Sequence, residues 1–171
     1  HGIQPDVKIE PEMLSTITVH LYAQNMIFKY ANKFYREHKT IAPPEEFEIT
    51  DEIYNDFVNF VEEQDFSYTS ESEKDFEELI KTAKLEGYYD NIKEQLDVLE
   101  KELRSHKDND LINNKEEISE ILKMEIVGRY YFQKGKIISS LKDDPELNRA
   151  VEILLDSNGE NEYENILKGV N

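Results

Sequence analysis

Four histidines are the residues of this sequence best suited to binding a metal, because a neutral imidazole coordinates zinc and other transition metals. They are His1, His20, His38 and His106, and no two of them are close in the sequence. Glu102 and His106 share one helical face at the i, i+4 spacing, but the second histidine of a helical zinc motif is missing. We therefore interpret the histidines as packing or surface residues and predict no metal site.

The serines and glycines lack the spacing that nucleophilic catalysis or phosphate binding requires. No Gly-x-Ser-x-Gly elbow occurs. Phosphate-binding loops need several glycines at a helix N-terminus, whereas Gly135 lies between Lys134 and Lys136 within a predicted helix. The sequence has no cysteine, so it offers no thiolate nucleophile. We therefore predict no catalytic residue and no cofactor-binding residue in this chain.

Acidic residues dominate the composition. The 171 residues include 38 Asp and Glu against 20 Lys and Arg, a formal net charge of −18, which argues against nucleic acid or an anionic membrane as a partner because both are polyanions. Residues 45–86 hold 15 acidic and 3 basic residues, a net charge of −12. We interpret this acidic segment as a solvated face; the alternatives are docking to a basic partner and a cation-crosslinked surface. No stretch approaches the roughly 20 apolar residues that cross a bilayer.

The first eleven residues differ from the rest of the chain. Apolar and charged residues alternate from Val7 to Glu10, which is typical of a β-strand, and Pro5 and Pro11 flank them. A strand this short needs a sheet to pair with, and no second convincing strand follows. We therefore predict an orphan strand whose partner sheet precedes it. Because the chain opens with His1 rather than Met, we expect it to be a piece of a longer protein.

Helical periodicity dominates the remainder and predicts a mainly α fold, an irregular bundle of about six helices behind the orphan strand. The predicted helices span residues 12–38, 50–63, 70–87, 89–105, 115–141 and 145–155. The expected domain division is residues 1–11 for the orphan strand segment, 12–156 for the helical domain, and 157–171 for a polar tail with a short helical turn.

One candidate packing or interaction site lies on the fourth predicted helix. Leu96, Leu99 and Leu103 follow one another at spacings of three and four, and Glu and Lys residues flank them. This arrangement is a narrow apolar seam of the kind that a coiled-coil-like hairpin or a partner helix covers.

A second candidate site lies on the longest predicted helix. Gly128 and Gly135 are seven residues apart and share one helical face, where they would let a neighbouring backbone approach closely at a cost of about 1 kcal/mol each relative to alanine. Tyr131 and Phe132 lie beside them. We interpret this helix as the packing centre of the bundle, and a dedicated binding surface is the alternative.

Several stretches resemble one protein family. The sequence Gly-Ile-Gln-Pro-Asp-Val at residues 2–7 is similar to the segment that closes the catalytic core of the C-terminal processing (tail-specific) serine proteases. The distal half is similar to the helical tail of family members from Bacteroidetes-type bacteria. The matching stretches there are Asn-Lys-Glu-Glu-Ile at 114–118, Glu-Ile-Val-Gly-Arg-Tyr-Tyr-Phe-Gln-Lys-Gly at 125–135 and Leu-Lys-Asp-Asp-Pro-Glu-Leu at 141–147.

The resemblance implies a PDZ domain that captures substrate C-termini and a core that cuts peptide bonds with a serine nucleophile and a lysine general base. Lysine acts as a base only when burial depresses its pKa, so this chemistry belongs inside a folded core. In the family both residues precede the Gly-Ile-x-Pro-Asp segment. No serine or lysine of this chain, Lys134 and Lys136 included, therefore receives a catalytic role. The resemblance also implies a periplasmic or cell-envelope location.

The expected function is thus that of a non-catalytic C-terminal helical domain of a carboxy-terminal processing serine endopeptidase. Such a domain would support the protease core, mediate homo-oligomerisation or contact substrate. Its expected partner is its own protease core, with no nucleic acid, no membrane insertion and no cofactor. The alternative is a free-standing acidic helical module, unrelated to proteolysis, that binds a partner through its acidic face or the leucine seam.

Overall fold

The protein is described by a computed structural model that covers residues 5–10, 13–155 and 161–169. These residues form nine α-helices and no β-strand, which confirms the expected mainly α fold class. The helices are α1 (Thr16–Ala23), α2 (Met26–Glu37), α3 (Asp51–Glu63), α4 (Glu71–Glu86), α5 (Tyr89–Asp108), α6 (Asp110–Asn113), α7 (Lys115–Ser140), α8 (Pro145–Leu154) and α9 (Glu162–Lys168).

Side-chain caps define where four of the helices begin. The side chains of Ser15, Thr50, Ser70 and Asp144 each accept a hydrogen bond from a backbone N–H in the first turn of α1, α3, α4 and α8, respectively. Each cap satisfies an N–H group that has no partner within the helix, a contribution of about 0.5–2 kcal/mol. Pro145 occupies the first position of α8, where its missing N–H costs nothing.

The hydrophobic core lies among α1, α2, α3 and the first half of α7. Tyr30 is fully buried there and packs edge-on against Phe57, with ring centroids 5.2 Å apart. Its hydroxyl donates to the carbonyl oxygen of Ile53 at 3.0 Å, which satisfies the polar end of the buried ring. The other large, fully buried side chains of the core are Leu21, Ile27, Val61, Ile118, Leu122, Ile126 and Val127.

Polar contacts attach α1 to the beginning of α7. The carboxylate of Glu117 accepts hydrogen bonds from the Ser15 backbone N–H at 3.1 Å and from the Ser15 hydroxyl at 2.8 Å. Burial raises the pKa of Glu117, but the hydrogen bonds from Thr18 and Ser15 outweigh burial, and the pKa is lowered overall. The carboxylate therefore remains charged at neutral pH and joins two helices that are distant in the sequence.

Helices α4 and α5 pack against each other as a hairpin outside the main core. Gly87 ends α4 with a left-handed backbone (φ +79°), which glycine adopts without steric cost. Lys107 on α5 donates to both carboxylate oxygens of Glu73 on α4, at 2.9 and 2.8 Å, and its ammonium lies 4.7 Å from the centroid of the Tyr68 ring. These contacts fix the end of the hairpin to the connector that precedes α4.

The expected orphan strand is not seen. Val7 and Ile9 are half-buried while Lys8 and Glu10 are exposed, so the alternation read from the sequence persists as alternating burial. No segment among the described residues pairs with them, and a strand exists only through its ladder of hydrogen bonds. Residues 2–4 of the family-like motif and residues 157–160 of the expected tail lie outside the described part of the chain, while α9 supplies the expected final helical turn.

The predicted helix over residues 12–38 consists of two helices. Asn25 adopts a left-handed backbone (φ +59°) between α1 and α2, a conformation that asparagine tolerates better than most residues. In addition, α5 continues to Asp108, and the short α6 follows it directly. The described residues therefore contain more helices than the six expected, although the helical segments lie where the periodicity placed them.

Candidate functional site

The long helix α7 is broken at Phe132. This residue has φ +58° and ψ −155°, a region that glycine alone occupies readily, and its side chain is 76% exposed. The helix therefore has two arms, a long one before Phe132 and a short one after it. We call this break, with Tyr131 and Phe132 at its tip, the α7 turn. The sequence did not predict it, because neither a proline nor a glycine stands at the break.

Two glycines allow the arms of α7 to fold closely together. A Cβ atom on Gly135 would overlap the Cβ of Tyr131 and lie 3.1 Å from Cγ1 of Val127. A Cβ on Gly128 would overlap the end of the Lys136 side chain. Side chains four residues apart on an unbroken helix lie about 5–6 Å apart, so these overlaps arise from the fold-back. The atoms close to the two glycines are side-chain atoms of α7 itself, namely those of Lys136, Tyr131 and Val127. The expected approach of a neighbouring backbone stays a prediction.

An ion-pair network lies beneath the α7 turn. Glu125 accepts from Nη1 of Arg129 at 2.6 Å and from Nζ of Lys136, on the other arm, at 2.8 Å. Arg129 also donates from Nε to Asn32 on α2 at 2.9 Å, and its guanidinium lies 4.7 Å from the centroid of the Phe28 ring. The network joins both arms of α7 to α2. The i, i+4 spacing of Glu125 and Arg129 is a local signal for one of its ion pairs, whereas the contacts with Lys136 and Asn32 depend on the fold.

The charge of Glu125 is maintained by this network. Burial raises the pKa of its carboxyl, but the hydrogen bonds and charges of Lys136 and Arg129 together outweigh burial, and the pKa is lowered overall. Glu125 is therefore ionised at neutral pH, as a central anion between two cations.

Tyrosines connect the α7 turn to the loop that follows α2. The hydroxyl of Tyr130 donates to the carbonyl oxygen of His38 at 2.6 Å, and that of Tyr131 donates to the carbonyl oxygen of Ile41 at 3.3 Å. The Tyr130 ring also meets the Tyr35 ring edge-on, with centroids 4.8 Å apart. Tyr131 is thus engaged in the fold, whereas the Phe132 ring points mostly into solvent.

A comparison with protein families decides the assignment. A family model described as the C-terminal helical domain of a probable PDZ-protease matches residues 17–154, from α1 to the end of α8. The chain belongs to this family. The resemblance to the helical C-terminal region of a protease is therefore confirmed, while the Bacteroidetes-type origin stays a prediction. No curated protein and no solved structure is significantly similar to the chain.

The leucine seam of this PDZ-protease helical domain is divided between the interior and the surface. Leu96 is 6% exposed, whereas Leu99 is 44% exposed, although both lie on α5. Leu103 is partly buried and lines a small cavity with Tyr68 and His106. In the α4–α5 hairpin, Leu96 is therefore buried, whereas Leu99 is exposed to solvent.

Two of the histidines of the helical domain have aromatic partners. His20 stacks on Tyr68 with ring centroids 5.0 Å apart, and His38 stacks on Phe34 at 4.0 Å. Within residues 5–10, 13–155 and 161–169, no three His, Asp or Glu residues are grouped so that they could hold a metal ion. Nor does this part of the chain contain a helix both long enough and apolar enough to span a bilayer.

Proposed function

We propose that this domain is a non-catalytic C-terminal domain of a carboxy-terminal processing serine endopeptidase and that it supports the protease core. The observation that carries the proposal is the family match across α1 to α8. The similarity of residues 2–7 to the end of a processing-protease core is consistent with it, because that segment would lead directly from the core into the helices.

The route of the N-terminal segment supports a position for the core close to α8. Val7 and Ile9 line a cavity together with Ile153 of α8 and Ile166 of α9. The chain therefore reaches the helical domain at the α8–α9 pair before it continues into α1. A folded core joined to residue 5 would begin within a few residues of this pair.

An uncovered apolar stripe on α8 provides the contact surface. Leu147, Val151 and Leu154 follow one another at spacings of four and three on one helical face, and all three are exposed. Contiguous exposed apolar residues on a helix are typical of a surface that another folded unit covers. We infer that the protease core packs on this stripe and that the contact stabilises the core.

The test is a pair of substitutions in the intact protease. Val151→Asp combined with Leu154→Asp places two charges on the stripe without touching the buried face of α8. We expect the core to melt about 4–8 °C lower, because two partly buried apolar contacts worth about 1 kcal/mol each are lost. Cleavage of a substrate peptide is expected to fall at the temperatures where the core begins to unfold.

Leu85→Asp combined with Val98→Asp is the matched control, because both residues are exposed, on α4 and α5, and far in sequence from the N-terminal segment. It is expected to leave core melting unchanged. Equal effects of the control and the α8 variant would contradict a specific contact. An unchanged melting temperature with a changed oligomeric state would assign the stripe to oligomerisation instead.

We also propose that the parent protease resides in the periplasm or cell envelope, a proposal that rests on the family resemblance alone. Cell fractionation with an antibody against this domain tests it. The coding sequence upstream of His1 tests the enzymatic part of the proposal: a PDZ domain and a core with a serine and a lysine are expected there, and an upstream segment without them would contradict it.

A further inference from the structure

A cavity of about 290 Å³ lies between the two arms of α7 and the first turn of α8. Met124 lines it from the long arm, Ser139 and Ser140 from the short arm, and Pro145 from α8. The cavity exists because α7 folds back at Phe132 and the chain then turns into α8. Its wall thus combines an apolar part with hydroxyl groups, as small-ligand sites usually do.

Ser139 provides the first indication of a ligand. Its side chain is 4% exposed, and its Oγ has no hydrogen-bond partner among the described residues. Buried hydroxyl groups in native proteins are nearly always hydrogen-bonded, so an unpartnered one on a cavity wall is unusual. A ligand that donates a hydrogen bond to Ser139 Oγ would remove this cost.

The charge of the cavity indicates what kind of ligand it would take. Glu120, Asp143, Asp144 and Glu146 line it, and Lys123 is the one basic residue among its lining side chains. The Lys123 ammonium is buried and is paired, outside the cavity, with a carboxylate oxygen of Glu48 at 3.0 Å. Glu48 also pairs with Lys142 at 3.6 Å. The acidic residues in and next to the cavity still outnumber these two lysines, so the field inside the cavity is negative. A cationic group is the complementary ligand.

An organic cation fits this arrangement better than a metal ion. The cavity acids do not converge, since the described part of the chain contains no group of three metal-binding side chains. In addition, one oxygen of Asp144 is already engaged with the backbone N–H of Leu147 at 2.9 Å. A guanidinium presents five donors in a plane and can reach separated acceptors, and the stem of an arginine packs on apolar walls.

We propose that this cavity binds an arginine side chain from a basic segment of a protein partner. The guanidinium pairs with Asp143 and Glu146 and donates to Ser139 Oγ, while the aliphatic stem packs against Met124. The net charge of the chain, −18, attracts such a segment from a distance, and the cavity gives it one defined anchoring point. The proposal goes beyond the core-supporting role, because the site lies between α7 and the start of α8 and does not use the apolar stripe.

The test uses N-acetyl-arginine amide as the probe, titrated at low salt into the full chain and followed by backbone amide NMR shifts. We expect saturable shifts confined to residues 120–124 and 139–146. N-acetyl-citrulline amide has nearly the same shape without the charge, and it is expected to cause no saturable shift. Equal binding of citrulline amide, or arginine-induced shifts spread along the whole acidic surface, would overturn the proposal.

Substitutions of the cavity side chains test which of them bind the arginine probe. Asp143→Asn combined with Glu146→Gln is expected to raise the Kd for the arginine probe at least about tenfold, because two charge-assisted hydrogen bonds are lost. Ser139→Ala is expected to raise it about threefold through the loss of one neutral acceptor. Glu77→Gln combined with Glu78→Gln removes two exposed carboxylates from α4 and is the matched control, expected to change the Kd less than about twofold.

The cavity variant and the α4 control each remove two negative charges. Long-range attraction alone would therefore lower the affinity for the arginine probe equally in both. An equal loss of affinity in the α4 control and the cavity variant would therefore overturn the site. Calcium ions that produced the same localised shifts as the arginine probe would also overturn it, because the cavity would then be a metal site. Melting temperatures of all three variants confirm that each is folded.

Discussion

At the scale of single residues, Phe132 has a backbone conformation that is unfavourable for any residue with a side chain. Its backbone lies at φ +58°, where a Cβ atom is unfavourable by about 1–3 kcal/mol, and its ring is largely exposed. Exposed aromatic rings recover little free energy from burial, so the ring does not compensate for the strain. The contacts beneath the α7 turn, among them those of Glu125 with Arg129 and Lys136 and those of the two tyrosines, therefore offset the strain.

Glycine at position 132 should relieve this strain. We expect Phe132→Gly to leave the free energy of unfolding unchanged or to raise it by about 1 kcal/mol, because strain relief exceeds the roughly 0.5–1 kcal/mol that glycine adds to chain entropy. Phe132→Ala removes the same ring but keeps the Cβ, so it should be less stable than Phe132→Gly. Urea unfolding of the three proteins measures the difference, and a glycine variant less stable than the alanine variant would refute a left-handed backbone at this position.

At the scale of secondary-structure elements, α7 contributes both to the core and to the α7 turn. Its long arm contributes Ile118, Leu122 and Ile126 to the core, and its short arm returns along the long arm. The short arm can pack this closely on the long arm only where no side chain stands between them. This requirement accounts for glycine at positions 128 and 135 better than contact with another helix does. The same fold-back creates the cavity at Ser139.

Alanine at the two glycines should have unequal effects. We expect Gly135→Ala to lower the free energy of unfolding by about 2–3 kcal/mol, because the new Cβ overlaps the Cβ of Tyr131, which cannot rotate away. Gly128→Ala meets the side chain of Lys136, which can move at the expense of its 2.8 Å ion pair with Glu125, and it gains helix propensity, so its effect should be the smaller, about 1 kcal/mol. Chemical denaturation of both variants provides the comparison. Equal tolerance of the two substitutions would show that the arms of α7 are not folded together.

Other elements followed directly from local sequence signals. The predicted starts near residues 50, 70 and 145 agree with the observed α3, α4 and α8, because Thr50, Ser70 and Asp144 cap these helices through contacts within four residues. Gly87 ends α4 for an equally local reason. Caps are short-range interactions, so a sequence contains all the information needed to predict them.

At the scale of the whole molecule, excess negative charge opposes folding. The net charge is −18, and the segment 45–86, which includes α3 and α4, contributes −12 of it. Compacting the chain brings these carboxylates together, and their mutual repulsion destabilises the folded state. Ion pairs such as those of Lys33 with Asp56 and Lys115 with Asp51 offset part of this repulsion.

Salt should therefore stabilise the domain. Between about 10 mM and 500 mM NaCl we expect the Tm to rise by about 2–4 °C, since the screening length falls from roughly 30 Å to a few ångströms and repulsion is reduced more than the ion pairs are. Glu62→Lys combined with Glu63→Lys, both exposed at the end of α3, changes the net charge by four units and should reduce the rise. Differential scanning calorimetry measures both curves. A Tm that falls with salt would mean that ion pairs outweigh the net repulsion.

Composition, apolar spacing and caps were sufficient to predict a mainly helical acidic domain and most helix limits. The motifs at residues 2–7, 114–118, 125–135 and 141–147 together indicated its family. The break at Phe132, the Glu125 network and the cavity at Ser139 depended on tertiary structure. Each of them joins segments that are distant along the chain or folded back on one another, and apolar periodicity describes one straight helix at a time. Which residues face each other across such a fold is decided by close packing in the assembled structure, where Gly135 fits against Tyr131 and Val127 because it has no Cβ.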